Sequence, residues 1–271
     1  MLKVNTEKCI GCELCTKDCF VKDIEMVEGK AEIKNVRCFK CGHCIAVCPV
    51  AAISTDEYDM NDVIEYDKDS FELDADNLLN FIRFERTIRH FKNQDVENEK
   101  ILKVIEAGRF TQTASNAQNV NYVVVKESIQ DVRKMTLETL KAMGHHILEN
   151  STNPLYKKYA GMWIKMHDDF ITNPDGEDNL FFKAPALIMV TSEHALNAGL
   201  ASANMKLMVD ALGLGTVFSG FLVRAAEENP AIKEFLGIDK SQNLVACMVV
   251  GYPNIKYRRT TPRRKPNIIW K

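Results

Sequence analysis

The sequence lacks an apolar run of the roughly 20 residues that a membrane-spanning helix requires, so no such helix is expected. Its first residues contain no apolar signal-peptide segment, which leaves the cytoplasm as the expected compartment. It also lacks an excess of either charge, because the formal net charge is −2, and neither a nucleic acid nor a membrane is expected as a partner. No Ser-His-Asp signature is present. The 271 residues suffice for one large and one small domain.

Cysteine, in contrast, is concentrated near the start of the chain. Nine cysteines occur, and eight of them lie within the first 48 residues, in two runs over 9–19 and 38–48. Disulfides are rare in a reducing cytosol, and zinc is an alternative because paired C-x2-C units often form tetrahedral sites. The spacing C-x2-C-x2-C-x3-C in both runs, with Pro49 after the second, favours iron–sulfur clusters over both alternatives.

This spacing resembles that of bacterial ferredoxins with two [4Fe–4S] clusters, in which the fourth cysteine of each run ligates the other cluster. The resemblance implies one cluster bound by Cys9, Cys12, Cys15 and Cys48, and a second bound by Cys38, Cys41, Cys44 and Cys19. Between the runs, residues 21–36 alternate apolar and polar side chains around Glu28-Gly29, which predicts a short hairpin. We therefore expect a small ferredoxin-like domain over residues 1–57.

An acidic linker is predicted next, over residues 58–76. Between Asp56 and Asp76 there are ten acidic residues and one lysine, and hydrophobic periodicity is poor. This segment is interpreted as a solvated connector, with docking of a basic redox partner as the alternative. Residues 77–271 are expected to form a larger α+β domain. Helices are predicted over 74–86, from an N-cap at Asp95 to Gly108, and over 128–150, 155–171, 194–212 and parts of 225–236; strands are predicted over 121–126, 186–191, 216–221 and 244–250.

The predicted helix at 194–212 has an unusual composition. Six of the nine residues from Ala195 to Ala203 are Ala, Gly or Ser, and few positions are charged. A helix that is small and apolar nearly all round is buried, with closely packed backbones. Burial at a subunit interface and burial inside a monomer core both account for this pattern.

Residues 80–271 resemble the FMN-dependent nitroreductase family through four motifs in the same order. Glu85-Arg-Thr-Ile-Arg-His-Phe91 is similar to the family's Arg-Arg-Ser-x-Arg-x-Phe, with Glu85 in place of an arginine. Thr113-Ala-Ser-Asn-Ala-Gln118 is similar to Ser-x-x-Asn-x-Gln. Ala198-Gly-Leu200 leads to Gly213-Leu-Gly-Thr216 and then to Ser219-Gly220, and Gly251-Tyr-Pro253 precedes a basic tail. The resemblance implies a central, mainly antiparallel sheet flanked by helices, and an intertwined homodimer with FMN at its interface.

The resemblance also assigns residues to FMN. The guanidinium group of arginine can donate two parallel hydrogen bonds to the FMN phosphate. The resemblance therefore implies phosphate contacts from Arg86 and Arg89, and from Arg264 if the tail folds back, with Thr87 adding a hydroxyl donor. Side chains of Thr113, Asn116 and Gln118 match positions that hold the ribityl chain and the pyrimidine edge. Backbone amides near Ser219-Gly220 would face the flavin N5 side, and Leu214 and Gly215 complete the implied site. No side chain is expected to act as a nucleophile.

Together, the two domains predict an oxidoreductase. Iron–sulfur clusters pass single electrons, whereas reduced flavin delivers two electrons as a hydride. We therefore hypothesise that a ferredoxin or flavodoxin passes electrons through the clusters to FMN, which then reduces a small nitroaromatic, quinone or enone. The first alternative is NAD(P)H-dependent reduction of FMN, with electrons leaving through the clusters to a protein partner. The second is a carrier or redox sensor without turnover.

Overall fold

The computed structural model describes all 271 residues, which divide into two compact units. Unit 1 comprises 1–74 together with the short segment 113–117, and unit 2 comprises 75–112 and 118–271. The division falls inside the acidic segment interpreted as a linker. The separate assignment of 113–117 to unit 1 has no counterpart in the sequence-based domain boundaries.

Unit 1 is built from two small antiparallel sheets and short helices. Its elements are β1 (Leu2–Val4), α1 (Leu14–Asp18), β2 (Ile24–Val27), β3 (Lys30–Ile33), α2 (His43–Ala46), β4 (Ile53–Thr55) and α3 (Lys68–Phe71), with 3-10 turns at Met60–Asp62 and Ala114–Asn116. Strand β1 pairs with β4, and β2 pairs with β3. The hairpin turn has positive φ at Glu28 and Gly29, as a tight reversal requires, and it confirms the predicted hairpin.

The core of unit 1 contains six of its eight cysteines. Leu2, Ile24, Ala31 and Ile53 pack with buried Cys15 and Cys44, and four further cysteines lie at the edge of this cluster. So few apolar side chains bury little surface, and a domain of this kind depends on bound metal for stability.

Unit 2 contains one four-stranded sheet and seven helices. Its elements are α4 (Ala75–Phe84), α5 (Asn98–Arg109), β5 (Asn121–Val125), α6 (Ile129–Asn150), α7 (Pro154–Thr172), β6 (Ala186–Ser192), α8 (Ala195–Ala211), β7 (Gly215–Phe218), α9 (Gly220–Glu228), α10 (Pro230–Phe235) and β8 (Asn243–Gly251). The strand order is β5-β6-β8-β7, and every neighbouring pair is antiparallel. The predicted sheet flanked by helices is therefore confirmed.

Two separate cores cover the two faces of this sheet. Along β6, Leu187 and Met189 pack into one hydrophobic cluster, whereas Ala186, Ile188 and Val190 pack into the other. Alternate side chains of a strand point to opposite faces, so a strand with all seven residues buried must be covered on both sides. The sheet is consequently the rigid layer from which the loops around the functional site extend.

Two predicted boundaries in unit 2 are wrong. Helix α5 begins at Asn98 and has Glu97 at its N-cap position, where Asp95 was predicted; the Asp95 carboxylate instead accepts a hydrogen bond from Lys126. The predicted strand 216–221 ends at Phe218, and helix α9 begins at Gly220 because the Ser219 hydroxyl caps it by accepting from the Leu222 amide.

Helix α8 is buried on only one face within the chain. Its buried residues include Ala198, Ala201 and Met205, while Leu196 and Leu200 are 73% and 47% exposed. Burial inside the monomer thus accounts for one side of this small, apolar helix and leaves the other side uncovered. No helix is both long enough and apolar enough to cross a membrane.

Candidate functional site

A cavity in unit 1 brings together the four cysteines assigned to the first cluster. Cys9, Cys12, Cys15 and Cys48 all line it, although Cys48 lies more than thirty residues further along the chain. The turn after Cys9 needs glycine, because Gly11 has φ +70° and an added Cβ would lie 2.3 Å from the Gly29 carbonyl oxygen. All nine cysteines are free, so the disulfide alternative receives no support.

Two of the four cysteines assigned to the second cluster, Cys19 and Cys38, accept hydrogen bonds from backbone N–H groups. The Asp23 amide donates to the Sγ of Cys19 at 3.4 Å, and the Lys40 amide donates to the Sγ of Cys38 at 3.3 Å. The Asp23 side chain is 1% exposed and accepts from the amides of Val36 and Arg37, directly before Cys38. Donors aimed at cluster sulfurs stabilise the charge of a bound cluster.

The protonation of these thiols depends on their surroundings. Burial raises the pKa of Cys44 to about 12 and also raises the pKa of Cys15. Hydrogen bonds from the backbone of Ala31 and Gly11 lower the pKa of Cys9. Iron must therefore displace a proton from the two buried thiols, as is usual for metal–thiolate bonds. No group of three or more His, Cys, Asp or Glu side chains forms a site for a single metal ion.

The flavin-side residues partly converge in a cavity of about 390 Å³ in unit 2. Arg89, Ser219 and Gly220 line this cavity. The Ser219 N–H donates to the Cys247 carbonyl at 2.8 Å. A contact between the amides near Ser219-Gly220 and the flavin remains a prediction. The amides of Gly220 and Phe221, in the first turn of α9, have no acceptor. These two N–H groups are the available donors for a polar edge of FMN.

Arg86 connects the start of unit 2 to its basic tail. Its guanidinium donates to the carbonyl oxygens of Arg83, Glu85 and Arg259, the last at 3.0 Å. The tail therefore folds back as far as Arg259. Arg264 is exposed. Its phosphate contact remains a prediction.

Thr87 lies directly after Arg86 and beside β7. It forms an isolated parallel bridge with Thr216, and the next amide, of Ile88, donates to the Thr216 carbonyl at 3.0 Å. This pairing fixes the backbone that precedes Arg89, while the side chain of Thr87 stays exposed. Its hydroxyl is accordingly accessible to a ligand.

Glu85 is partly buried in the motif implied to hold phosphate. One carboxylate oxygen, Oε1, is buried without a hydrogen-bond partner. Burial raises the pKa of Glu85, and the nearby charge of Lys206 partly opposes this shift. An ionised Glu85 disfavours a neighbouring phosphate, because like charges repel most strongly where water is excluded.

The Thr113–Gln118 motif lies at the boundary between the two units. Thr113 and Asn116 are assigned to unit 1, and Gln118 is assigned to unit 2. The Asn116 amide nitrogen donates to the carbonyls of Phe39 and Lys40 at 3.0 Å each, both between cluster ligands Cys38 and Cys41. Its side-chain donor is thus used within unit 1, and its contact with the flavin remains a prediction.

Leu214 and Gly215 have packing roles. Leu214 is 3% exposed inside the second core of unit 2. A Cβ on Gly215 would lie 2.5 Å from Cγ1 of Ile88 and 3.0 Å from Pro253. Glycine at 215 therefore allows the segment carrying Arg86 and Arg89 to lie against β7.

Sequence reasoning missed the remaining wall of the unit 2 cavity. These residues come from α7, from the segment before β6, from β7 and from α9: Tyr159, Asn179, Leu180, Phe182, Val217, Phe218, Phe221 and Arg224. Interpreting 216–221 as a strand concealed that Arg224 follows Gly220 by one helical turn. A serine N-cap before an amphipathic stretch was the available signal.

A buried ion pair holds the wall segment that precedes β6. Arg133 on α6 lies 3.2 Å from the Asp178 carboxylate, and both side chains are at most 3% exposed. The same carboxylate accepts from the amides of Leu180, Phe181 and Lys183. The backbone at Phe182 is thereby held at φ +56°, a conformation that non-glycine residues rarely adopt.

Comparison with known proteins identifies both parts of the chain. Residues 82–252 match the nitroreductase family, and residues 1–49 match the 4Fe-4S dicluster domain. The N-terminal part is 47% identical over 45 residues to a component of the ion-translocating oxidoreductase complex of Methanosarcina acetivorans. That match covers only 17% of each chain.

Two solved structures have the same fold as unit 2. The BluB-like flavoprotein of Clostridium difficile 630 is 23% identical, with a TM-score of 0.55 over 70% of this chain and 94% of its own. A nitroreductase with bound FMN from Bacteroides fragilis is 16% identical, with a TM-score of 0.53 over 72% and 98%. These findings support both predicted cofactors, two [4Fe–4S] clusters and FMN. The chain is a flavin-dependent oxidoreductase that belongs to the nitroreductase family and carries a 4Fe-4S dicluster domain at its N-terminus.

Proposed function

We propose that this protein takes electrons from a ferredoxin-type donor into its two clusters and uses FMN to reduce a small organic acceptor such as a nitroaromatic, a quinone or an enone. When bound, the clusters carry one electron at a time, and FMN converts these into a two-electron reduction. The protein supplies binding, orientation and exclusion of water, and no side chain needs to bond to the acceptor.

One observation carries this proposal: a single chain contains both a cavity lined by Cys9, Cys12, Cys15 and Cys48 and a cavity lined by Arg89 and Gly220. A flavin enzyme that passes a hydride from NAD(P)H straight to a small acceptor has no need of clusters, whereas an enzyme that exchanges electrons with a one-electron protein partner benefits from storing single electrons. The presence of both sites therefore supports a relay between clusters and flavin, and the choice of electron donor tests its direction.

Asn116 adds support from within unit 1. Its amide donates to the carbonyls of Phe39 and Lys40, so a residue of the flavin motif holds the loop between two ligands of the second cluster. Hydrogen bonds to that loop would help to hold Cys38 and Cys41 in place for the second cluster, which is the usual role of groups outside the ligand shell.

We propose that a second copy of the chain completes the FMN site. All residues of α4 are partly or fully exposed, including Leu79, Ile82 and Phe84 at 43%, 45% and 47%. The outward face of α8, with Leu196 and Leu200, is also uncovered. Apolar surface of this extent is typical of an interface between subunits.

Removing one cluster ligand tests the direction of electron flow. Cys41→Ala takes an exposed ligand from the second cluster, and Cys247→Ala serves as the control because Cys247 is buried in β8 of unit 2. We expect Cys41→Ala to lose about half of the iron, to keep FMN, and to lose turnover with reduced ferredoxin while retaining turnover with dithionite. Turnover with ferredoxin at the control's rate, despite the lost cluster, would contradict the proposal.

A further inference from the structure

We propose that the unit 2 cavity selects a planar acceptor that carries a carboxylate, and that Arg224 binds this anion. The inference rests on the proposed function, because it names the substrate class of the same site. The main support for this inference is the charge of the residues that line the unit 2 cavity. Arg89 and Arg224 both line the wall, and no aspartate or glutamate does.

Neither arginine has a counter-ion within the protein. Arg89 and Arg224 form no ion pair, in contrast to Arg133, which is paired with Asp178. Two unpaired guanidinium groups around one cavity create a positive potential that attracts an anion. The family motif accounts for Arg89 through FMN, whereas no flavin contact is implied for Arg224. A separate anion therefore explains the second charge.

Aromatic rings hold Arg224 in place. The Arg224 guanidinium carbon lies 5.7 Å from the ring centroid of Trp163, which is 1% exposed. Trp163 packs edge-to-face on Phe221 with ring centroids 5.7 Å apart, and the ring centroid of Tyr159 lies 6.2 Å from that of Phe221. A guanidinium over an aromatic face keeps its outer N–H groups free for a carboxylate.

The rest of the wall suits a flat ring. Tyr159, Phe182 and Phe221 supply apolar surface, and Asn179 adds a polar amide. The Arg133–Asp178 pair and three backbone hydrogen bonds fix the segment that carries Asn179 and Phe182. A wall that is rigid before binding loses less conformational entropy when the acceptor enters.

The test compares two acceptors of the same shape that differ in charge, 4-nitrobenzoate and 4-nitrobenzamide. Their dissociation constants are measured by titrating the oxidised, FMN-loaded protein and following the flavin absorbance, so no electron donor is involved. The variants are Arg224→Gln and Arg224→Lys. The control is Lys134→Gln, which removes an exposed positive charge from α6.

We expect the wild type and Lys134→Gln to bind the carboxylate about tenfold more tightly than the amide, which corresponds to about 1.4 kcal/mol. Arg224→Gln should abolish this preference, Arg224→Lys should retain part of it, and added salt should weaken it in the wild type. A preference that survives in Arg224→Gln would overturn the inference. So would loss of FMN from Arg224→Gln, because Arg224 would then bind the flavin phosphate.

Failure of this inference is separable from failure of the proposed function. Equal affinity for both acceptors, combined with turnover driven by reduced ferredoxin, would overturn the acidic substrate class and leave the relay intact. A tenfold preference for the carboxylate without transfer from the clusters would support Arg224 as the specificity determinant and overturn the relay.

Discussion

Substitution of Gly215 by alanine tests how the segment that carries Arg86 and Arg89 is placed against the sheet. The added Cβ would lie 2.5 Å from Cγ1 and 3.0 Å from Cβ of Ile88, and 3.0 Å from Pro253. Ile88 is 5% exposed, so it has no open space into which it can move. Overpacking of this kind costs about 1–3 kcal/mol. For a unit of this size the melting temperature should fall by about 2–12 °C.

Thermal unfolding of the FMN-loaded protein, followed by circular dichroism, measures the stability change, and flavin fluorescence measures FMN retention. Gly161→Ala is the matched control, because a Cβ there meets nothing within 4 Å and alanine favours the α7 helix. We expect Gly215→Ala to be destabilised and to bind FMN more weakly, since Ile88 lies between Arg86 and Arg89.

A double-mutant cycle identifies the responsible contact. Ile88→Ala removes the clashing Cγ1 and alone costs about 2–5 kcal/mol. If the clash is real, Gly215→Ala in the Ile88→Ala background costs clearly less than in the wild type. Equal costs in both backgrounds, or a Gly215→Ala protein as stable as Gly161→Ala, would refute the reasoning.

Three further predictions concern the ion pair, the phosphate motif and the dimer. Asp178→Asn leaves the buried Arg133 without a counter-charge, which should lower the free energy of unfolding by about 3–5 kcal/mol and raise KM for the acceptor. An unchanged melting temperature would contradict this prediction. Burial raises the pKa of Glu85, so its ionised form opposes folding and stability falls as pH rises through that range. Glu85→Gln should therefore be more stable than the wild type at pH 7, and this difference in stability should vanish below about pH 4. A difference in stability that does not change with pH would contradict the prediction. Leu200→Glu should produce a monomer, as measured by light scattering after size exclusion, and its FMN content should be reduced. The control Leu155→Glu should change neither property. A Leu200→Glu dimer of normal FMN content would exclude α8 from the interface.

The sequence was most informative where spacing alone determines geometry. Three cysteines within seven residues must surround one small volume, and the structure brings Cys9, Cys12 and Cys15 to one cavity together with Cys48. Long periodic helices such as α6 and α7 were predicted to within about two residues, because an amphipathic face forms wherever the apolar period is 3.6 residues.

The missed features depend on contacts between residues that lie far apart in the chain. Asn116 donates to carbonyls more than seventy residues earlier, and Arg133 pairs with Asp178 more than forty residues later. No local pattern reports such pairs. The beginning of α9 was misplaced for another reason: a hydrophobic stretch after Thr216 suits either a strand or a helix, and the Ser219 cap decides between them.

Anaerobic stopped-flow absorbance tests the direction of electron flow most directly. The protein, loaded with FMN and about eight irons, is mixed separately with reduced ferredoxin and with NAD(P)H, and the cluster and flavin bands are followed. The account predicts that ferredoxin bleaches the clusters first and the flavin second, and that NAD(P)H bleaches neither rapidly. Flavin bleaching by NAD(P)H ahead of the clusters would contradict it and would identify a reductase that passes electrons outward.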